Sequence, residues 1–369
     1  MNWTAWAQAE LDAIRRADRW RALMAFDCRG VEGTLRGRDV IVFSSNDYLG
    51  LSQHPAVRRA AAEAAQQFGA GATASRLVVG TRSLHEELEG ALAAWQRTEA
   101  ALVFPNGFAA NLSVLSVLGG PEVTVFSDEL NHASIIDGCR LAKAERRIYR
   151  HGDVDHLESL LAATPGRKLV VTDSVFSMDG DVAPLDAIAS LCARFDALLV
   201  VDEAHAVFGP ALHDLPCELL RVGTLSKMLG SLGGWVAGPR SLIELLVNRA
   251  RPFIFTTGLS PADAAAALAA LRICMSEQGE RLRAQLRHAV DTIAPAHPSP
   301  IVPVILGEDR AALNAAETLL QQGLYVPAIR PPTVPAGTAR LRIALSALHT
   351  EPMLQKLRQA LHSLQRVAA

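Results

Sequence analysis

The chain has 369 residues, half of them hydrophobic, with a formal charge of −2 and a pI near 6.6. That length supports one large core with a smaller companion, and the near-neutral balance argues against a nucleic-acid or anionic-membrane surface. Five cysteines, Cys28, Cys139, Cys192, Cys217 and Cys274, are odd in number and show no Cys-x-x-Cys pair, so they read as packing thiols in a reduced, cytoplasmic compartment. The first residues carry Trp3, Trp6, Glu10 and Asp12 and do not read as an export signal, and no apolar run is long enough to cross a bilayer.

Residues 2–25 place Trp3, Trp6, Leu11, Ile14 and Leu23 among charges, the pattern of an amphipathic arm helix whose Arg15, Arg16, Arg19 and Arg21 face solvent or a ligand. Residues 31–43 predict a short hairpin with turns near Gly33 and Gly37, leading into Phe43-Ser44-Ser45-Asn46-Asp47-Tyr48-Leu49-Gly50. Helices are expected over 55–68 and 83–96. Between about 100 and 235, apolar runs at 101–104, 123–126, 168–172, 198–201 and 220–224 alternate with helical stretches. Runs buried on both faces predict a mostly parallel sheet, whose ligands gather at the carboxyl ends of the strands. Gly107, Asp128, Ser177, Asp202 and Lys227 each follow such a run. An alanine-rich helix over 262–290 then leads to strand 301–306, helix 310–322, strand 341–345 and a closing helix 353–367. The expected organisation is an arm and hairpin over 1–40, a large domain over 41–260 and a small C-terminal domain over 261–369.

The chemistry starts from Lys227, which ends Gly223-Thr224-Leu225-Ser226-Lys227, downstream of Asp202-Glu203-Ala204-His205 at the end of an apolar strand. A lysine able to form a Schiff base, following a strand-end acid and a histidine, is what pyridoxal 5'-phosphate chemistry requires. The acid keeps the pyridine nitrogen protonated so that the ring accepts electrons. Asp-Glu-Ala-His also resembles the magnesium-binding acids of helicases, but the Gly-x-x-x-x-Gly-Lys-Ser/Thr loop that such proteins need is missing. Gly69-Ala70-Gly71-Ala72-Thr73-Ala74 matches the dinucleotide fingerprint in form, yet follows a helix where the motif needs a strand, so it reads as a glycine-rich loop. Neither zinc-ligand spacing nor a Gly-x-Ser-x-Gly elbow occurs, and no metal site is expected. Asn106-Gly107-Phe108-Ala109-Ala110-Asn111 opens a helix after a strand, where free backbone amides suit a phosphate. His132 either satisfies a loop or stacks on a pyridine ring, and Ser177 either caps a turn or faces the ligand; spacing leaves both open.

With those residues in place, the chain resembles the α-oxoamine synthases, a group of the fold-type I pyridoxal-phosphate-dependent transferases. The likeness runs through Phe43 to Leu51, Gly107 to Asn111, Phe176 to Asp181, Val201 to His205, Thr224 to Lys227 and Arg330-Pro331-Pro332-Thr333-Val334-Pro335-Ala336-Gly337-Thr338-Ala339-Arg340-Leu341-Arg342. The last run is selective for members that condense L-alanine with a pimeloyl thioester in biotin biosynthesis.

The resemblance implies an α/β fold with a large, mostly parallel sheet flanked by helices, a smaller α+β C-terminal domain and an N-terminal arm helix. It implies that Lys227 carries the cofactor, Asp202 pairs with the pyridine nitrogen, His205 contacts the ring hydroxyl and His132 stacks on the ring with Ser177 nearby. Gly107, Phe108 and Thr224 serve the cofactor and its phosphate, joined by Thr256 or Thr257 of a second subunit in a homodimer. Arg342, with Asn46, binds the amino-acid carboxylate; Arg21, Thr333 and Arg330 face the acyl substrate, delivered on coenzyme A or an acyl-carrier protein. Two departures from the family are visible. Ala206-Val207-Phe208-Gly209-Pro210 replaces a longer glycine-rich stretch after the histidine, and Ala72-Thr73-Ala74 replaces more usual glycine and serine positions. The rival readings are another α-oxoamine synthase, such as glycine C-acetyltransferase, 5-aminolevulinate synthase or serine palmitoyltransferase, and a non-catalytic scaffold of the same fold, which would lack Lys227.

Overall fold

The computed structural model describes residues 2–209, 212 and 214–368. In chain order its elements begin with α1 (Trp3–Arg16), β1 (Phe26–Arg29), β2 (Glu32–Leu35), β3 (Arg38–Val42), α2 (Pro55–Phe68), α3 (Ser83–Gln96), β4 (Ala100–Phe104), α4 (Gly107–Leu118), β5 (Val123–Asp128) and α5 (Ala133–Leu141). They continue with β6 (Glu145–Tyr149), α6 (Val154–Ala162), β7 (Arg167–Asp173), α7 (Leu185–Arg194), β8 (Ala197–Asp202), β9 (Leu219–Thr224), β10 (Gly234–Gly238), α8 (Arg240–Arg249), α9 (Arg251–Ile254) and α10 (Pro261–Cys274). The last are α11 (Glu277–Ile293), β11 (Ile301–Gly307), α12 (Asp309–Gln321), β12 (Leu324–Tyr325), β13 (Ala328–Ile329), β14 (Ala339–Ala344) and α13 (Glu351–Ala368). The chain divides into two units, one of Asp47–Ser177 with Asp181–Ala284, the other of Met1–Asn46, Met178–Gly180 and Gln285–Ala369.

The first unit is built on a seven-stranded sheet in the order β4-β10-β9-β8-β7-β5-β6, parallel from β9 through to β6, with β10 antiparallel to both its neighbours. Along the central strands successive side chains serve opposite layers: Val125, Leu169, Val171 and Val200 belong to one hydrophobic cluster, Phe126, Val170, Leu199 and Val201 to the other. This two-sided burial explains why the sheet's sequence reads as unbroken apolar runs, each fully buried side chain contributing roughly 1.5–3 kcal/mol. Chemistry capable of pairing sits at the strand ends, where Asp173 and Asp202 are register partners on β7 and β8. Close packing fixes the start of α4 beside β10: a Cβ on Gly234 would lie 2.5 Å from the Asn106 carbonyl oxygen.

The second unit holds a sheet in the order β1-β2-β3-β12, a three-stranded antiparallel sheet β11-β14-β13, and helices including α12 and α13. The arm helix α1 buries none of its residues. It is shorter than its expected range, because Asp18 takes a left-handed φ of 54° and leaves Arg19 and Arg21 in the extended segment beyond. The hairpin closes at Arg36-Gly37, while Gly33 lies inside β2 opposite Cys28 of the unforeseen strand β1. Glycine is needed there for approach and not for a turn, since a Cβ would come 2.6 Å from the Cys28 Cβ. The alanine-rich stretch forms two helices. They break after Cys274, whose carbonyl accepts from Arg283 Nη1 at 3.0 Å and lies 2.5 Å from where a Gly279 Cβ would be. Among the described residues no helix is long and apolar enough to cross a membrane.

Candidate active site

Lys227 lies in the turn after β9, which Gly230 closes by donating its N–H to the Lys227 carbonyl at 3.0 Å. Its half-buried Nζ is 2.8 Å from His205 Nε2, and His205 Nδ1 is 2.6 Å from the hydroxyl of Tyr48, whose side chain is fully buried. The relay has a direction. When the ammonium donates to Nε2, the ring proton must reside on Nδ1 and donate to the Tyr48 oxygen.

Asp202, 5% exposed at the end of β8, has both carboxylate oxygens engaged: Oδ1 accepts the Ala204 N–H at 2.8 Å, and Oδ2 accepts from Asn111 Nδ2 at 2.7 Å. Asn111 lies on the buried face of α4 and donates also to Ser134 Oγ at 2.9 Å. Ser134 Oγ is in turn 2.7 Å from His132 Nδ1. The exposed His132 caps α5 through its ring, and its backbone N–H donates to Asp173 Oδ2 at 2.8 Å. Crowding by neighbouring atoms holds His132 below the usual imidazole range; Asp202 opposes this and the Lys227 charge reinforces it. Asp173 is pushed well above the ordinary carboxylate range, first by complete burial and then by the charge of Asp202.

At the start of α4, the Asn106 side chain accepts the Ala109 N–H at 2.8 Å, so the amides of Gly107 and Phe108 are the helix's outermost donors. Thr224 Oγ1 donates to the Gly233 carbonyl at 2.9 Å and lies 2.7 Å from Ser226 Oγ. A Cβ on Gly107 would be 3.7 Å from Thr224 Oγ1, so the helix start and the two hydroxyls form one polar corner. Ser177 is half-buried in the turn after β7, whose ends are joined where the Phe176 N–H donates to the Asp181 carbonyl at 3.0 Å. Thr256 and Thr257 are exposed, and Thr257 bridges Ser75. Thr73 takes a left-handed φ of 64°, uncommon for a β-branched residue. After His205 the described chain runs to Gly209; Pro210 lies outside the described residues.

The other expected residues fall into two groups in the second unit. On β14 the buried Arg342 donates through Nη2 to Asn46 Oδ1 at 3.2 Å. Near the end of the arm, Arg21 Nη2 donates to Thr333 Oγ1 at 3.2 Å, and Arg330 donates to the Asp18 carbonyl. Arg19, Arg21, Arg330 and Thr333 line a small cavity of about 80 Å³, and Arg330 Nε is buried with no partner among the described residues. Three guanidinium groups thus line one cavity.

The donor set of the first unit suits pyridoxal phosphate. A buried carboxylate anchored by two N–H donors, an amine beside an imidazole, and a helix start next to two hydroxyls answer respectively to a pyridinium nitrogen, an aldehyde and a phosphate. A family model for aminotransferase class I and II matches residues 38–361. The chain belongs to that family. It is 50% identical to an 8-amino-7-oxononanoate synthase of Anaeromyxobacter dehalogenans (strain 2CP-1 / ATCC BAA-258), over 93% of this chain and 91% of the relative. Among solved structures, a serine palmitoyltransferase from S. paucimobilis with a bound PLP–myriocin aldimine superposes with a TM-score of 0.91 at 32% identity, covering 100% of this chain and 99% of that one. An 8-amino-7-oxononanoate synthase from Francisella tularensis gives 0.71 at 26% identity, covering 89% and 97%.

Within this family fold, sequence reasoning did not single out Tyr48, Asn111, Ser134 and Asp173. Asn111 carried a usable signal: it falls one helical turn after Gly107, on a face otherwise occupied by Ala110, Val114 and Leu115, where an amide is out of place unless it has a partner. Tyr48 and Ser134 carried none, since their partners are 157 and 23 residues away.

Proposed function

We propose that the chain condenses L-alanine with a pimeloyl thioester, consuming one proton and releasing 8-amino-7-oxononanoate, carbon dioxide and the free thiol, a step of biotin synthesis. The support is twofold: relatives 45–50% identical over more than nine-tenths of the chain carry that activity in their names, and the residues that such chemistry needs are present. The observation carrying the reading is the Lys227 amine held 2.8 Å from His205, on the sheet end that also bears the doubly anchored Asp202.

Bound pyridoxal phosphate supplies an electron sink that loosens the bonds to the α-carbon of an amino acid. Asp202 would hold a proton on the pyridine nitrogen. The amides of Gly107 and Phe108, with Thr224 and Ser226, would hold the phosphate, with His132 and Ser177 beside the ring. Lys227 would be the attachment amine, and its free Nζ would take the α-proton of alanine and return a proton to the same carbon. His205 Nε2 accepts from Nζ while it is an ammonium, with the ring tautomer set by Tyr48. Arg342, steadied by Asn46, binds the alanine carboxylate. Arg21, Arg330 and Thr333 bind an anionic group of the acyl donor, carried on coenzyme A or an acyl-carrier protein, and the unpartnered Arg330 Nε supports that role.

We also propose a cytoplasmic homodimer. Leu77, Val78, Val79 and Phe255 are exposed and flank the Ser75–Thr257 bridge, an apolar surface that a second copy would cover, bringing Thr256 or Thr257 to its partner's phosphate. The free cysteines fit a reducing compartment.

Turnover assays pairing alanine, glycine and serine with pimeloyl, acetyl, succinyl and palmitoyl thioesters test the substrate. With pimeloyl thioester, alanine is expected to lead glycine by roughly 10- to 200-fold, the range a one-methylene difference in a pocket supports. A preference for serine with palmitoyl or glycine with acetyl thioester refutes the assignment. Lys227→Ala is expected to lose turnover and the absorption of cofactor bound through the lysine while still folding; normal turnover in that variant refutes the role of Lys227.

A further inference from the structure

Apart from the Lys227 cluster, the first unit contains a histidine gripped by two carboxylates. His151, just after β6, has Nδ1 3.0 Å from Asp128 Oδ1 and Nε2 2.7 Å from Asp181 Oδ2. A neutral imidazole has one N–H, so one of its nitrogens would turn a lone pair toward a carboxylate. Both contacts are satisfied when the ring carries both protons. Asp128, its side chain 1% exposed, is itself fixed, accepting the Leu130 N–H through Oδ1 and the Gly152 N–H through Oδ2, each at 2.9 Å. The Phe176 ring meets the imidazole edge-on with centroids 4.3 Å apart. Glu129 adds a third acid nearby, accepting the His151 backbone N–H at 2.8 Å.

The two carboxylates belong to segments that matter. Asp128 ends β5 and begins the stretch to His132, its carbonyl accepting the Asn131 N–H at 3.3 Å. Asp181 closes the turn that bears Ser177. His151 thus ties together the segments that carry His132 and Ser177.

We propose that His151 is a positioning residue: as an imidazolium bridging Asp128 and Asp181, it locks the segment carrying His132 to the turn carrying Ser177 and so sets both for the cofactor ring. The inference rests on the pyridoxal-phosphate reading and deepens it, but not on the choice of substrate. Donating to the two acids pushes the His151 pKa up to about 10, against the lowering effect of partial burial, so the imidazolium is favoured through the neutral range. Gly180 lets the turn form: its φ is 73°, and a Cβ there would lie 2.0 Å from the Ile301 carbonyl oxygen.

The test uses His151→Gln, Asp181→Asn and the double variant. Each apoenzyme is titrated with pyridoxal phosphate, followed by absorbance, and each holoenzyme is assayed for kcat and KM. Misplacement of groups by a fraction of an ångström supports an expected loss of ~10-fold in cofactor affinity and ~10-fold in kcat for either single variant, with KM for the thioester within about two-fold of the parent. The double variant should be no worse than the poorer single, because both remove one bridge. A fall in melting temperature with cofactor affinity and kcat unchanged, or additive losses in the double variant, overturns the proposal. Should His151→Gln fail to fold, Asp181→Asn carries the same test from the more exposed end of the bridge. If the parent does not turn over alanine with pimeloyl thioester while the variants still lose cofactor affinity, the substrate assignment falls and the role of His151 stands.

Discussion

Tyr48→Phe removes one oxygen from a fully buried ring and alters no packing, so it isolates what the hydroxyl does for His205. In the parent, Tyr48 Oη occupies His205 Nδ1 at 2.6 Å and leaves Nε2 for Lys227 at 2.8 Å. Without the hydroxyl, the Nδ1 proton loses its acceptor at 2.6 Å, or it moves to Nε2 and confronts the lysine ammonium. Losing the acceptor of a buried donor costs up to roughly 1–3 kcal/mol, and the tautomer shift forfeits the lysine contact instead. Urea unfolding of the apoenzyme should show that loss. If about 1.4 kcal/mol of it is felt at the reacting geometry, kcat/KM falls ~10-fold. Unchanged kcat/KM alongside reduced stability would mean that Tyr48 only packs; no change in either would mean that the hydrogen bond is not formed in solution.

Arg342→Lys keeps a charge but loses the planar fork, and should raise the KM for alanine ~10-fold or more while cofactor affinity, measured by titration, stays at the parent value. An unchanged KM would remove Arg342 from the carboxylate site. Stability should also report on His349, buried beside Phe43 with its ring stacked 4.2 Å away, Nδ1 accepting the Ser346 N–H and Nε2–H donating to the Val42 carbonyl. Burial lowers this histidine from 6.5 to about 4, so the unfolded chain binds the proton first as pH falls. Its contribution is fully present above pH 6.5 and is lost between there and pH 4, at about 1.4 kcal/mol per pH unit or roughly 3 kcal/mol in all. The parent should therefore lose more stability than His349→Gln across that window, and parallel curves would refute the assignment.

How far the sequence could carry the fold depended on where burial was two-sided. The central strands β7 and β8 read clearly because residues 169–171 and 198–201 are unbroken apolar runs, and α2 and α3 because Pro55 and Ser83 mark their starts. β6 escaped notice because an edge strand exposed to solvent carries Glu145, Arg146 and Arg147. β10 escaped because Gly-Trp-Val-Ala-Gly resembles a loop; its glycines are imposed by neighbours, Gly234 by Asn106 and Gly238 by Leu220, a tertiary fact that no local pattern encodes. The same divide runs through the candidate site. Lys227, Asp202 and His205 follow their strands closely and could be proposed from spacing, whereas Tyr48, Ser134 and the bridge from Asp128 through His151 to Asp181 exist only once distant segments meet.

Strand-end position alone did not distinguish Asp202 from Asp173. They are adjacent register partners on parallel strands, both buried, and two carboxylates so placed cannot both ionise cheaply. The structure breaks the symmetry through donors. Asp202 accepts an N–H on each oxygen, from Ala204 and from Asn111. Asp173 accepts the His132 N–H, and its burial beside Asp202 raises its affinity for a proton well above that of an ordinary carboxyl. The two acids are thereby distinguished: Asp202, whose strand leads to His205, has a donor on each oxygen, and Asp173 fixes the backbone of His132. Asn111, reaching from the helix that opens at Gly107, is consequently the residue that joins the two ends of the candidate site: its amide donates to Asp202, and the helix carrying it presents the amides of Gly107 and Phe108.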